Sequence, residues 1–209
     1  MPIWTPEKVW FGQDVYIIGG GKSLEHFDWN LLFDKCTIGC NDAYLLGVDI
    51  CKICFFDDVP WLKYHENELA KFEGAVFAPH RDAYDNKFNW LWTVKQKSSN
   101  IHKECLGWYK SSGAHAVKLA ALLGAKRIYL LGFDMKLVDG KNNWHVNHID
   151  KPNPDVFEKF IKGFQSLKES FDEKYPDIEV VNVTDDSDLN IFPKIKVDEF
   201  WKGKQNAKV

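Results

Sequence analysis

A glycine-rich turn near the start of the chain holds the first residues whose types and spacing suggest chemistry. The apolar run 15–18 ends abruptly in Gly19, Gly20, Gly21, Lys22 and Ser23. A backbone without side chains lets a ligand approach closely, and the start of the helix that follows favours an anion. A tight strand-to-helix turn with no ligand is the alternative. The turn therefore predicts either a phosphate site or a purely structural connection.

The turn departs from two well-known phosphate-binding motifs. A P-loop needs a glycine five residues before the Gly-Lys pair, where this chain has Tyr16. The dinucleotide-binding fingerprint needs a third glycine, where this chain has Leu24. Any anion at this turn is therefore expected to bind backbone amides and a helix start.

A second candidate anion site opens an Ala/Leu-rich helix with Ser111, Ser112 and Gly113. This helix start offers hydroxyl groups and backbone N–H groups that have no partner within the helix. A plain N-cap is the commoner use of a serine at this position. Two helix starts at one edge of a sheet favour a shared ligand more than either does alone.

Polar residues also follow two of the predicted strands. Asn41 and Asp42 follow the second strand, and Asp134 follows the strand predicted at 127–131. The carboxyl ends of parallel strands meet at one edge of the sheet, where ligands bind in open α/β folds. These side chains are therefore candidates for contacts with a nucleotide.

Asp57 and Asp58, directly after the third strand, have two interpretations. Paired carboxylates could hold Mg²⁺ against a diphosphate. They could equally cap the helix that begins near Pro60, and this second interpretation is favoured. The sequence thus predicts no resident cofactor, with Mg²⁺ only under the alternative.

His145 and His148 lie in a polar loop after the strand 127–131. An imidazole there could act as general base near neutral pH. Exposed histidines without a catalytic role are the alternative.

The elements that must position these residues alternate between strand and helix. Apolar runs predict strands at 15–18, 36–40, 50–56, 75–78, 127–131 and 178–183. Helical periodicity predicts helices at 24–33, 60–71, 114–125 and 154–175, with one short element near 189–192 in the tail. This alternation predicts a three-layer, Rossmann-like α/β fold with a mostly parallel sheet. The chain is expected to form a single domain over 1–209, with an irregular, lid-like insertion at about 79–110.

Composition sets further expectations. The 209 residues are 45% hydrophobic and carry a formal net charge of −3. Such a balance is typical of a globular protein and indicates no nucleic-acid partner. Without a membrane span or a secretion signal, the chain is expected to be cytoplasmic. The sequence leaves self-association into a homo-oligomer open.

Four segments together carry a resemblance. They are IIGGGKSLEHFDWNLL, TIGCNDAYLLG, SSGAHAVKLAALLGAKRIYLLGFDM and WHVNHID, in that order. The set resembles the bacterial Rossmann-like sialyltransferases that build lipooligosaccharide. It is also similar to related uncharacterised proteins, many from phage, and to pterin-diphosphokinase-like proteins. The sialyltransferase elements are a G-N-G-P-S-L turn, an R-C-N element, a T-S-G helix start leading to I-Y-L-x-G-x-D, and a later histidine.

The resemblance implies roles for individual residues. It places the nucleotide on the glycine turn, Asn41 on the phosphate or sugar, and Ser112 and Gly113 around the nucleotide. Asp134 would lie at the pocket edge, and His148, or else His145, would be the base. The family's reaction needs no metal.

The chain departs from the family at several positions. Gly20 and Lys22 replace the asparagine and proline of the turn, and Gly39 replaces the arginine of the second element. The two histidines are separated by two residues rather than three.

The sequence thus supports three functional hypotheses. The first is a nucleotide-sugar-dependent glycosyltransferase with a nucleotide-activated donor and an unidentified acceptor, a glycan or another molecule. The second is a Mg²⁺-dependent diphosphokinase acting on a small heterocycle. The third is a non-catalytic nucleotide-fold binding protein of phage or surface-glycan origin.

Overall fold

The structure, a computed structural model, describes residues 3–80, 88–97, 104–145 and 153–206. Within them, seven strands form one sheet in which every neighbouring pair is parallel. The strands are β1 Asp14–Ile18, β2 Cys36–Cys40, β3 Ile53–Phe55, β4 Ala75–Pro79, β5 Leu91–Val94, β6 Arg127–Leu131 and β7 Glu179–Val183. The sheet and its flanking helices confirm the predicted α/β, Rossmann-like class.

The order of the strands creates a crevice beside β1. Across the sheet they run β5-β4-β3-β2-β1-β6-β7. The chain moves outward from β1 to β5 and then returns to place β6 on the other side of β1. A reversal of this kind separates the connections at the carboxyl ends of the two strands and leaves room for a ligand. Because Ile18 pairs with Leu131, the loops after β1 and β6 start at the same level.

The described residues form four α-helices, which are α1 Val59–Leu69, α2 Ser112–Leu122, α3 Asp155–Lys174 and α4 Val197–Asn206. Helix α2 is buried along almost its whole length, which explains its Ala/Leu-rich sequence. It ends before Gly124, whose φ of +93° is a left-handed conformation that suits glycine. The helix thus begins two residues before the predicted range 114–125 and ends three residues before the end of that range.

Three segments differ from the sequence-based expectation. The predicted helix at 24–33 consists of two short 3-10 helices, Lys22–Leu24 and Trp29–Leu32. The segment 79–110 contributes β5, an edge strand that its sequence did not indicate. The tail forms α4, whose Trp201 stacks on Tyr16 of β1 with ring centroids 5.7 Å apart.

Helices cover both faces of the sheet. One core cluster joins β1, β2 and β6 to α2 and α3. Another joins the opposite face of β1 and β6 to α4. None of the helices in the described ranges is both long and apolar enough to cross a membrane.

Candidate functional site

A cleft of about 1430 Å³ opens along the carboxyl edge of the sheet. Its walls are the connections after β1, β2, β3 and β6 and the first turns of α1, α2 and α3. The predicted site residues that line it are Gly19, Gly20, Gly21, Asn41, Asp42, Asp57, Asp58, Ser111, Ser112, Gly113 and Asp134. The two candidate anion-binding loops, which start at Gly19 and Ser111, therefore meet in one cavity.

The glycine turn is packed tightly against the end of β6. The Gly21 amide donates a hydrogen bond to the Gly132 carbonyl at 2.8 Å. A methyl group on Gly19 or Gly21 would lie 2.5 Å from that same oxygen. Because glycine has no side chain, the turn can pack directly against the β6 connection, while its backbone still borders the cleft. The structural use of these glycines is therefore observed, while the phosphate site stays a prediction.

Ser23 and Lys22 lie outside the lining of the cleft. The Ser23 amide and hydroxyl donate to the Asp134 carboxylate, at 2.9 and 2.5 Å, instead of capping a helix. Burial raises the pKa of Asp134, and the hydrogen bonds from Ser23 oppose that rise. Lys22 is buried and forms an ion pair with Glu25. Ser23 and Asp134 therefore fasten the glycine turn to the β6 connection.

The start of α2 is also fastened to its surroundings. Ser111 is the N-cap, because its hydroxyl accepts a hydrogen bond from the Ala114 amide at 3.4 Å. The Ser112 hydroxyl donates to the Asn41 side-chain oxygen at 3.3 Å. Asn41 has a φ of +51°, an uncommon conformation for a residue other than glycine. These contacts join the connection after β2 to the start of α2.

The first turn of α2 offers donors to a ligand. The first amides of a helix have no partner within it, which leaves the N–H groups of Ser112 and Gly113 at the cleft wall. A side chain on Gly113 would collide with the ring of Phe133. This glycine therefore allows the helix start to approach the β6 connection closely.

Asp42 borders the cleft, and its buried carboxylate contacts side chains from other parts of the chain. Its side chain is 1% exposed, and it accepts a hydrogen bond from the Trp61 indole at 2.7 Å. The His65 Nε2 lies 3.3 Å from one carboxylate oxygen, and the His145 Nδ1 lies 3.4 Å from the other. The Tyr44 hydroxyl contacts the other ring nitrogen of His65 at 2.9 Å. One carboxylate thus joins the end of β2 to α1 and to the histidine loop.

The histidine loop is anchored at the mouth of the glycine turn. The Trp144 amide donates to the Gly20 carbonyl at 2.9 Å, and its indole donates to the Gly19 carbonyl at 3.1 Å. The His145 side chain is 8% exposed and lies outside the cleft lining, against Asp42. His148 lies outside the described residues.

Asp57 and Asp58 both border the cleft but differ in their surroundings. Asp57 lies 3.6 Å from the Nδ1 atom of the buried His115. Asp58 occupies the N-cap position of α1, yet its side chain accepts no capping hydrogen bond there. Within the described part of the chain, no three His, Cys, Asp or Glu side chains group to hold a metal ion.

Several cleft residues were not predicted from the sequence. The most conspicuous are three cations and three aromatic side chains, namely Lys110, Lys136, Lys159, Trp61, Tyr64 and Trp108. Lys136 pairs with Asp186 at 2.6 Å. Trp108 and Lys110 directly precede the predicted helix start, and this proximity in sequence could have marked them. No pattern could have marked Lys159, because the rotation of α3 about its axis is a tertiary property.

No protein-family model matches the chain, and no curated protein matches it. Among solved structures, it is similar to the sialyltransferase CstII from Campylobacter jejuni in complex with cytidine-5'-monophosphate. The two chains are 20% identical, with a TM-score of 0.56 over 88% of this chain and 85% of CstII.

A second solved structure is also similar. The MAf glycosyltransferase from Magnetospirillum magneticum AMB-1 is 13% identical, with a TM-score of 0.63 over 99% of this chain. The chain spans 38% of the MAf chain. The fold of this protein is thus one that glycosyltransferases use.

Proposed function

We propose that the protein is a glycosyltransferase that takes a nucleotide-activated sugar as donor. The observation that carries this proposal is the convergence of the Gly19 and Ser111 loops on one cleft at the strand-order reversal. The first amides of α2, at Ser112 and Gly113, suit a phosphate, and ligands of open α/β folds bind at this place. The CstII structure, with the same fold, holds cytidine-5'-monophosphate.

The size of the cleft also supports a reaction between two substrates. Small-molecule sites commonly enclose roughly 300–1,000 Å³. The cleft, at about 1430 Å³, exceeds that range. It therefore has room for a nucleotide-linked sugar and part of an acceptor.

In the proposed reaction, an acceptor hydroxyl attacks the anomeric carbon of the donor sugar. The bond from that carbon to the phosphate oxygen breaks, and the leaving nucleotide keeps the electron pair. The amides of Ser112 and Gly113 would stabilise the charge that develops on this phosphate. His148 would accept the acceptor proton, as the family resemblance implies. Its loop begins at Trp144 and His145, which are bound to the glycine turn and Asp42.

Nucleotide binding tests the proposal most directly. Cytidine-5'-monophosphate, UDP and ATP, each with and without Mg²⁺, are titrated by calorimetry. We expect a metal-independent preference for one pyrimidine nucleotide. Ser112→Ala should weaken that binding about three- to tenfold, whereas Ser170→Ala, on α3 outside the cleft, should not. Failure of every nucleotide to bind would favour a non-catalytic role.

Replacement of His148 by alanine tests the assignment of the base. We expect transfer to be abolished while nucleotide affinity stays within twofold of wild type, because the base contacts the acceptor rather than the donor phosphate. Unchanged turnover would refute this assignment.

A second candidate function rests on Asp57 and Asp58, which border the same cleft. Two carboxylates and the phosphate oxygens of ATP could together hold Mg²⁺, as a diphosphokinase requires. Under this alternative, ATP binds only with Mg²⁺, and Asp57→Asn weakens that Mg²⁺-dependent binding. Metal-independent binding of a pyrimidine nucleotide would exclude it.

A further inference from the structure

A second cavity adjoins the main cleft. Its volume is about 450 Å³, and it lies between the segment before α2 and the first half of α3. Three residues line both cavities, namely Trp108, Lys110 and Lys159. We call these three residues the rim. The rim therefore borders both the main cleft and the second cavity.

The chain alternates in exposure through the rim. Trp108 is 51% exposed, Tyr109 is 1% exposed, and Ser111 is 5% exposed, while Lys110 between the last two is exposed. Tyr109 thus anchors the segment inside the core, and Trp108 and Lys110 project to the outside on either side of it. Lys110 has a φ of +52°, uncommon for a residue with a side chain.

Helix α3 packs directly against the backbone of this segment. Gly163 lies against the Tyr109 backbone so closely that a Cβ atom there would collide with the Tyr109 carbonyl. The Tyr109 ring also packs against His115 of α2, with centroids 5.1 Å apart. The backbone that carries the rim is therefore fixed between two helices. A backbone that is already fixed loses little further entropy when a ligand binds beside it.

Lys110 and Lys159 give the rim two positive charges. Among the described residues, neither Lys110 nor Lys159 is in an ion pair. At the second cavity, Lys162 is paired with Glu158 at 2.6 Å. The carboxylate of Asp155, which also lines the second cavity, lies in the first turn of α3, where the helix dipole stabilises a negative charge. Two ammonium groups without an ion pair among the described residues thus line the same two cavities as an exposed indole.

We infer that the rim is the acceptor subsite and that it takes an acidic carbohydrate. The inference rests on the proposed transferase function and adds the chemical class of the acceptor. The flat, apolar face of an indole suits the C–H face of a pyranose ring. The two ammonium groups suit carboxylate or phosphate substituents on neighbouring positions. An acceptor bound there would direct its end into the cleft, toward the start of α2.

Binding of matched oligosaccharides tests the inference. Mannopentaose, mannopentaose 6-phosphate and pentagalacturonic acid are titrated by calorimetry into the full chain, with and without saturating cytidine-5'-monophosphate. We expect at least tenfold tighter binding of one acidic pentasaccharide than of mannopentaose. Which acid binds distinguishes phosphate from carboxylate as the recognised group. Equal affinity for the neutral sugar, or no binding of either acidic sugar, would overturn the inference.

Variants locate the binding. Trp108→Ala should weaken the acidic sugar at least tenfold, and Trp108→Phe should restore much of the affinity, because a flat ring returns. Lys110→Ala and Lys159→Ala should each weaken it about three- to tenfold and reduce its dependence on salt. Trp92→Ala serves as the control, since Trp92 is 41% exposed on β5 and borders neither cavity.

The nucleotide titration distinguishes the two proposals. Rim variants should leave nucleotide affinity within twofold of wild type. If Trp108→Ala weakens the nucleotide and not the sugar, the indole stacks on a nucleobase and the acceptor subsite is refuted. If the nucleotide binds but no acidic sugar does, the acceptor inference fails while the proposed function stands. If no nucleotide binds, the proposed function itself fails.

Discussion

Asp42 is buried, and its carboxylate contacts side chains from two other parts of the chain. Sequence position alone placed it among the nucleotide contacts. The structure surrounds its carboxylate with the Trp61 indole and the imidazoles of His65 and His145. Its carboxylate therefore joins α1 and the histidine loop beside the cleft, and a contact with the nucleotide stays a prediction.

Replacement of Asp42 by alanine should lower the free energy of unfolding by about 3 kcal/mol, because buried donors lose their acceptor. Urea unfolding measures the change. Asp58→Ala is the matched control, since Asp58 is exposed and its side chain forms no capping bond. It should stay within about 0.5 kcal/mol of wild type. Equal effects of the two variants would contradict a stabilising role for the contacts of Asp42.

Gly113 offers a second test at the same scale. Gly113→Ala brings a methyl group into the Phe133 ring and should cost about 1–3 kcal/mol of stability. Gly203→Ala, in an exposed part of α4 with no atom near the added methyl, should stabilise by up to about 1 kcal/mol. Thermal unfolding of both variants checks the opposite signs. A neutral Gly113→Ala would show that α2 can move away from the β6 connection.

Among the elements, α2 and α3 make the contact that shapes the cleft wall. Gly113 of α2 approaches the β6 connection, and Gly163 of α3 approaches the segment before α2. Between the two helices lies Lys118, which is 3% exposed and donates a hydrogen bond to the Tyr175 hydroxyl at 2.8 Å. Burial, with a smaller effect of nearby Lys174, lowers the pKa of Lys118 to about 7.

This lysine makes stability depend on pH. Between pH 7 and the ordinary lysine pKa of 10.5, the unfolded chain holds the proton more often than the folded chain. Stability from this group therefore rises with pH across that window, by at most about 1.4 kcal/mol per pH unit, and is flat below it. We expect Lys118→Met to be more stable than wild type near pH 6, with the difference shrinking toward pH 9. Urea unfolding at pH 6, 7, 8 and 9 measures it. A constant difference would show that Lys118 keeps an ordinary pKa.

At the scale of the whole molecule, helices on both faces of a parallel sheet enclose most of the thiols. Cys40, Cys51, Cys54 and Cys105 are buried, and Cys36 is partly exposed. Burial raises the pKa of Cys51 to about 12 and raises that of Cys54 as well. A thiol that stays protonated inside a core reacts only when the fold opens.

Thiol labelling should therefore report global unfolding. At pH 8, we expect an aromatic disulfide reagent to modify Cys36 first and the four buried thiols only in step with unfolding. The number of thiols modified against time, with and without urea, measures this. Cys36→Ser should remove the early phase. Rapid modification of several thiols in the native protein would contradict a single cooperative core.

The fold class and the positions of several turns follow from local sequence patterns. Buried parallel strands read as continuous apolar runs, and glycines and N-cap serines mark turns through local chemistry, so β1, β6 and the start of α2 were predictable. The edge strand β5 and helix α4 were not assigned. An edge strand has weak apolar patterning, and α4 shows its buried face only against Tyr16 and Tyr129.

Which polar residues border the cleft, and which hold its walls together, depends on tertiary packing. Sequence distance says nothing about whether Asp134 contacts Ser23, or whether Lys159 and Trp108 meet across a cavity. Those relations depend on strand order and on the rotation of each helix about its axis. Both are set by packing of the whole core, since side-chain periodicity specifies a face and not its partner.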